Sequence, residues 1–202
     1  YSIAPWTNSV VYYDEATKTT VKKRLTPGSE EWTTIWTAFL NDLADHLYEK
    51  GWFNDAYIGI DERGFNKAAF DLIDSIKRGI PTPLKLKSAG AMDGFVEKKD
   101  LAMRVDDLNV GSIAVKAHPQ QFEEIRQARE DAGLRTTIYT CTGHKPGNFS
   151  LSAPGESYWT MMYSYSVGGE GYLRWAYDSW VANPLEDTTH NAFEAGDCFL
   201  VF

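Results

Sequence analysis

The sequence predicts an α/β fold of parallel strands, and within that class a (β/α)8 TIM-type barrel, on three observations. Short apolar or β-branched runs alternate with amphipathic helical segments at a spacing that calls for right-handed crossovers between parallel strands. No Gly-rich phosphate loop follows any of these runs, which removes the commonest use of an open doubly wound sheet. Residues at the C-terminal ends of the strand candidates, where a barrel gathers its function, are rich in carboxylate, aromatic and hydroxyl groups. They are Trp6, Asp61-Glu62, Ser88, His118, Tyr139 to Thr142 and Trp175 to Asp178.

Taken in order, residues 2–6 read as a first strand. Ser29 then precedes Glu30-Glu31, and Trp32, Ile35, Trp36, Phe39, Leu40, Leu43 and Leu47 recur at three- and four-residue steps up to Lys50-Gly51. This is the pattern of an amphipathic helix with an N-cap, an acidic first turn and a glycine stop. The apolar run 56–60 follows as a strand. A helix over 65–77 ends at Arg78-Gly79, and Pro81 and Pro83 lead into a short strand at 84–88. Residues 111–116 read as a strand, 120–132 as a helix stopped by Gly133, and 136–141 as a β-branched strand. After a Gly/Pro/Ser-rich loop, 156–167 reads as a helix and 172–177 as a last strand. These make six β/α units, with no low-complexity tract or linker to mark a boundary.

Composition narrows the function. A chain of 202 residues, 43% hydrophobic and 24% charged, can bury a sizeable core as one domain. A net charge of -8 without a Lys/Arg cluster argues against a nucleic-acid partner and for a neutral substrate. No apolar stretch reaches the roughly 20 residues of a membrane-spanning helix. The compartment stays open, secreted or periplasmic as well as cytoplasmic. Cys141 and Cys198 have no metal-ligand spacing and read as free thiols, His118 and His144 are lone histidines, and neither a metal nor a cofactor is expected. Seven Trp and eleven Tyr are many for this length. Rings with an apolar face and a polar handle suit stacking on sugars, although part of the set belongs to the core.

Asp61-Glu62 is the most informative dipeptide. In a strand over 56–60, Tyr57, Gly59 and Asp61 share one face while Ile58 and Ile60 pack on the other. The pair reads as catalytic carboxylates at a strand end, the alternative being a solvated pair opening a loop.

Several segments together resemble the catalytic domain of family 123 glycoside hydrolases. They are Gly51-Trp52-Phe53 with Tyr57-Ile58-Gly59-Ile60-Asp61-Glu62-Arg63, then Thr136-Thr137-Ile138-Tyr139, then Gly171-Tyr172-Leu173-Arg174-Trp175-Ala176-Tyr177-Asp178-Ser179-Trp180 with Asn183-Pro184-Leu185, and Ala195-Gly196-Asp197. The resemblance implies a (β/α)8 barrel with the acid pair ending its fourth strand. On that register residues 1–202 are an incomplete segment covering about strands 3 to 8, with native N- and C-terminal parts absent and the remainder of the catalytic domain as a partner. Arg63 is followed by Gly64-Phe65, where many relatives have proline. The activity implied is removal of terminal β-linked N-acetylgalactosamine in bacterial carbohydrate metabolism.

Adjacent carboxylates on one strand end do not easily straddle a sugar, as the pairs of ordinary retaining and inverting glycosidases do. They suit the substrate-assisted route, in which the 2-acetamido oxygen attacks the anomeric carbon and an oxazolinium forms. Asp61 then orients the acetamido N–H, and Glu62 protonates the leaving oxygen and later activates water, with retention. Tyr139 is a candidate donor to the acetamido carbonyl or else a core tyrosine. Trp175 and Trp180 are candidates for the stacking wall, with Tyr177 and Trp6 as further aromatic contacts and Asp178 for sugar hydroxyls. Arg63 reads as a structural partner of a carboxylate. The rival readings are an N-acetylglucosaminidase and a non-catalytic carbohydrate-binding domain.

Overall fold

The computed structural model describes residues 9–60, 67–79, 86–92, 94–187 and 195–197. Its residues form two compact units, divided after Gly90.

The first unit opens with an antiparallel hairpin, β1 (Ser9–Asp14) and β2 (Thr19–Arg24), paired from Ser9↔Arg24 to Asp14↔Thr19. The turn places Lys18 at positive φ, and the Asp14 carboxylate accepts the Ala16 N–H at 2.9 Å. Helix α1 (Glu30–Glu49) begins as its sequence requires: the Ser29 hydroxyl accepts the Trp32 N–H, and Glu30 and Glu31 occupy the first turn. It stops at Gly51, whose φ of 73° lets the Gly51 and Trp52 N–H groups return to the last carbonyls. Trp32, Leu40 and Ala44 form its buried face, and the Trp32 and Trp36 rings stand 6.2 Å apart. A 3-10 turn (Phe53–Asp55) leads into β3 (Tyr57–Ile60), followed by α2 (Lys67–Gly79), which buries Ala69, Phe70, Ile73 and Ile76. Strand β4 (Lys87–Met92) pairs with β3 in parallel, Tyr57↔Lys87 to Ile60↔Gly90. The expected alternation on β3 holds. Ile58 and Ile60 are buried while Tyr57 and Gly59 are part-exposed, and the Lys87 ammonium lies 5.3 Å from the centre of the Tyr57 ring.

The second unit contains α3 (Lys99–Ala102), β5 (Asp107–Gly111), α4 (Ser112–Ala117), α5 (Pro119–Asp131), β6 (Arg135–Tyr139), α6 (Pro154–Ser166) and β7 (Tyr172–Leu173). Strands β5, β6 and β7 run parallel, from Asp107↔Arg135 to Gly111↔Tyr139 and Tyr139↔Leu173. Phe95, Val105, Leu108, Val110, Phe122, Ile125 and Ile138 are its apolar core. The fold is mixed α/β with parallel pairing, and no closed barrel forms among the described residues.

Arg129 on α5 is fully buried. Its guanidinium donates to the Thr136 hydroxyl at 2.9 Å, to the carbonyls of Val105 at 3.0 Å and Asp106 at 3.4 Å, and to those of Ala102 and Arg135. One side chain thus ties the helix to the segments flanking β5 and β6. Burial pulls its pKa down to about 10, against the opposing pull of Asp107, Asp106 and Glu170.

Several expected elements are placed differently. Residues 112–117 form helix α4, and the strand lies before it at Asp107–Gly111. The spacing of Ile113 and Val115 reads as strand alternation, but Val115 is buried and Ile113 exposed on a helix that closes with His118 N–H on the Ala114 carbonyl. The true strand is masked by polar Asp107 and Asn109, which are bonded to each other and to Thr137. Strand β4 runs four residues further than expected, through the weak strand formers Ala89, Gly90 and Ala91 to Met92. The last strand ends at Leu173 rather than at 177. The hairpin β1–β2 was not anticipated at all, and residues 2–6 lie outside the described residues.

Candidate functional site

The register sets Gly111, Tyr139 and Leu173 side by side at the C-terminal ends of β5, β6 and β7. Just beyond them the chain supplies Ser112, Thr140-Cys141 and Arg174-Trp175, and the loop after β6 bonds back to this end of the sheet. His144 accepts or donates at Nδ1 with the buried Ser112 hydroxyl, 3.0 Å away. The Tyr172 hydroxyl donates to Asn148 Oδ1 at 3.0 Å, so its shared hydrogen bond with Thr140 takes the Thr140 proton. Burial holds the Tyr172 phenol above its ordinary pKa, against the hydrogen bond from Thr140 and the nearby Arg174 guanidinium. Glu156 of α6 anchors the loop from behind, accepting the Gly147 N–H and the Lys145 ammonium, each at 2.8 Å.

A second cluster follows β7. Arg174 lies with its guanidinium 4.5 Å from the centre of the Phe149 ring and donates to the carbonyls of Gly196 at 2.7 Å and Asp197 at 2.9 Å. The Asp197 carboxylate, also buried, stands 3.6 Å from Arg174 Nη1 and accepts the Trp175 indole N–H at 3.2 Å. Gly196 permits this seat: its φ is 78°, and a Cβ there would fall 2.5 Å from the Ser150 nitrogen. Four separated stretches of chain, near 140, 148, 174 and 196, are therefore bonded into one polar base.

Exposed aromatic rings follow β7 in sequence. Trp175, Tyr177 and Trp180 are each about half exposed, in the loop after β7 rather than on a strand. The Asp178 carbonyl accepts the Trp180 N–H at 2.8 Å, and the Asp178 side chain is exposed. Tyr139 is buried, on the face of β6 that also carries Thr137. Half-exposed indole and phenol rings offer flat apolar faces for stacking, and the Trp175 indole is anchored by Asp197. Two other expected strand-end positions are corrected. Ser88 is the second residue of β4, and His118 joins α4 to α5 with its ring against Phe95.

Asp61, Glu62, Arg63 and Trp6 lie outside the described residues, as does Cys198. Cys141 is exposed. Among the described residues no group of three His, Cys, Asp or Glu could hold a metal ion, and no helix is long and apolar enough to cross a membrane. Residue-by-residue reading missed Asn148, Arg174 and Asp197 as site members. Arg174 and Asp197 do lie inside the motifs that carry the family resemblance, and that was their only signal.

The family model described as glycoside hydrolase 123, catalytic domain, matches residues 1–202. Among solved structures, the chain is similar to a family 123 glycoside hydrolase from Clostridium perfringens, solved to detail glycolipid glycan hydrolysis. Identity is 37% and the TM-score 0.83, over 100% of this chain and 35% of that one. The chain thus spans about a third of that protein's length. No curated protein matches.

Proposed function

Because the chain belongs to family 123 of the glycoside hydrolases, we propose that it carries the catalytic residues of a retaining hydrolase that removes terminal β-linked N-acetylgalactosamine from glycans or glycolipids. The observation that carries this reading is the adjacency of two carboxylates, Asp61 and Glu62, directly after a strand whose alternate residues Ile58 and Ile60 are buried. Adjacent acids serve neighbouring points on one side of a sugar, so the nucleophile is the substrate's own acetamido oxygen. It attacks the anomeric carbon as the glycosidic bond breaks, with the electron pair of that bond leaving on the departing oxygen. Glu62 gives that oxygen its proton. Asp61 holds the acetamido N–H and balances the charge of the oxazolinium. Glu62, now ionised, takes a proton from water, which opens the ring from the same face and restores the β-configuration.

In this reading Trp175, Trp180, Tyr177 and Trp6 supply stacking faces, Asp178 accepts from sugar hydroxyls, and Tyr139 donates to the acetamido carbonyl. The exposure of three of these rings and the glycolipid work on the similar clostridial enzyme support it. Hydrolysis of aryl N-acetyl-β-galactosaminide, aryl N-acetyl-β-glucosaminide and aryl β-galactoside by the full-length protein tests it. Turnover of the first is expected, and of the third almost none. Preference for the second makes the protein an N-acetylglucosaminidase. Sugar binding without any turnover makes it a carbohydrate-binding domain.

A further inference from the structure

We propose that Asp197 is a positioning residue, whose carboxylate fixes the indole of Trp175 as a rigid stacking face for the sugar. The proposal rests on the glycosidase reading and names a residue that determines how tightly that site holds its substrate.

Trp175 presents about half its surface, yet its N–H edge is tied down: Nε1 donates to Asp197 Oδ1 at 3.2 Å. Asp197 is itself buried and cannot follow a swinging ring. Its backbone carbonyl and that of Gly196 accept from Arg174 Nη2, and its carboxylate stands 3.6 Å from Nη1. Among the described residues Arg174 Nε and Nη1 have no hydrogen-bond acceptor, and this carboxylate is the counter-charge that the buried guanidinium faces there. The guanidinium is backed in turn by the Phe149 ring, and Gly196 is pressed against Ser150 too closely for any side chain. Phe149, Arg174, Asp197 and Trp175 form a relay in which each member fixes the next. Only the last reaches solvent with an apolar face.

An indole free to rotate must be ordered whenever a sugar stacks on it, and that ordering weakens binding. Fixing the ring beforehand removes the cost without adding a contact. Asp197 therefore acts on affinity through Trp175, and its loss moves KM far more than kcat.

Three variants of the full-length protein separate this role from neutralisation of Arg174. Trp175→Phe keeps an aromatic face and deletes the N–H. Asp197→Ala deletes acceptor and charge, and Asp197→Asn keeps an acceptor. With an aryl N-acetyl-β-galactosaminide, Trp175→Phe and Asp197→Ala should each raise KM about ten-fold, with kcat changed much less. The double variant should be no worse than the poorer single, because both cut one link. Asp197→Asn should raise KM less than Asp197→Ala. Multiplying effects in the double variant, or an unchanged KM in Trp175→Phe, overturns the proposal. If Asp197→Ala does not fold, Trp175→Phe and Asp197→Asn still decide it by the same criteria. Should the wild type cleave no glycoside, the activity reading fails on its own. The same variants are then compared by quenching of tryptophan fluorescence with N-acetylgalactosamine, where the same pattern is expected and absence of quenching in the wild type refutes the relay.

Discussion

Replacing Arg129 by methionine keeps most of the apolar stem and removes every donor of the buried guanidinium. Five acceptors lose the arginine, but the Asp106 carbonyl keeps the Arg135 N–H, and both it and the Arg135 carbonyl are only part-buried, so that water can replace the guanidinium there. Three acceptors sit in the dry interior, the carbonyls of Ala102 and Val105 and the Thr136 hydroxyl. At about 2 kcal/mol for each unsatisfied group the loss is about 6 kcal/mol. Against this, the variant no longer buries a cation whose pKa burial pulls down to about 10. That shift is worth about 3 kcal/mol at about 1.4 kcal/mol per pKa unit. The net destabilisation is about 3 kcal/mol, a large share of the roughly 5–15 kcal/mol that holds a typical protein folded. Urea unfolding followed by fluorescence should show the midpoint falling by about 1–2 M with little change in slope. Arg129→Lys should fall between, since one ammonium cannot reach all the acceptors. A shift below about 0.3 M in Arg129→Met would mean that the clamp is ornamental and that the segments around β5 and β6 hold themselves.

The remaining predictions concern chemistry and pH. Glu62→Gln should lose about 10²–10⁴-fold on glycosides with basic leaving groups and little on activated aryl substrates, whereas Asp61→Asn should impair both; equal losses on every leaving group would sink the assignment. A thiazoline analogue of N-acetylgalactosamine should inhibit competitively and far more tightly than the free sugar, and trapping a 2-fluoro sugar on a carboxylate of this chain would replace the acetamido nucleophile with an enzymic one. Burial raises the pKa of Asp107, opposed by Arg135 and the Thr137 hydroxyl. Between its unfolded and folded pKa values the folded protein then binds more protons, and stability from this group falls as pH rises. Asp107→Asn should therefore be most favourable relative to wild type at neutral pH and lose that advantage on acidification; a difference independent of pH in paired urea titrations would refute the assignment.

Legibility varied with how locally each feature was encoded. Helix α1 could be read almost to the residue, because Ser29, Glu30-Glu31 and Gly51 mark its ends and its apolar side chains follow one stripe. The same holds for α5, stopped by Gly133, and for the alternation of β3. Strand β5 was hidden because its polar side chains are satisfied by a neighbour, Thr137, that lies 28 residues away in sequence. No local pattern announces such a partner. The exposed aromatic residues after β7 were found from their chemistry, but their foundation was not. Arg174 and Asp197 look like surface charges until the chain folds them onto Phe149 and Trp175. The acid pair was the clearest signal of all in sequence, through its context as much as its identity.

Trp175 finds its acceptor 22 residues further on, and Tyr172 finds Asn148 24 residues earlier. On the ribosome this order has a consequence in time. Strands β5 and β6 with α5 between them can pair as soon as they emerge, since domains assemble from the N-terminal side during synthesis. The ring of Trp175 emerges soon afterwards with its N–H still unclaimed, until Gly196 and Asp197 appear and close the intervening loop at an entropic cost that grows slowly with length. A nascent chain arrested before residue 196 would thus carry β5 and β6 but leave the Trp175 indole unlocked, and the stacking face proposed above would be set only after the sheet.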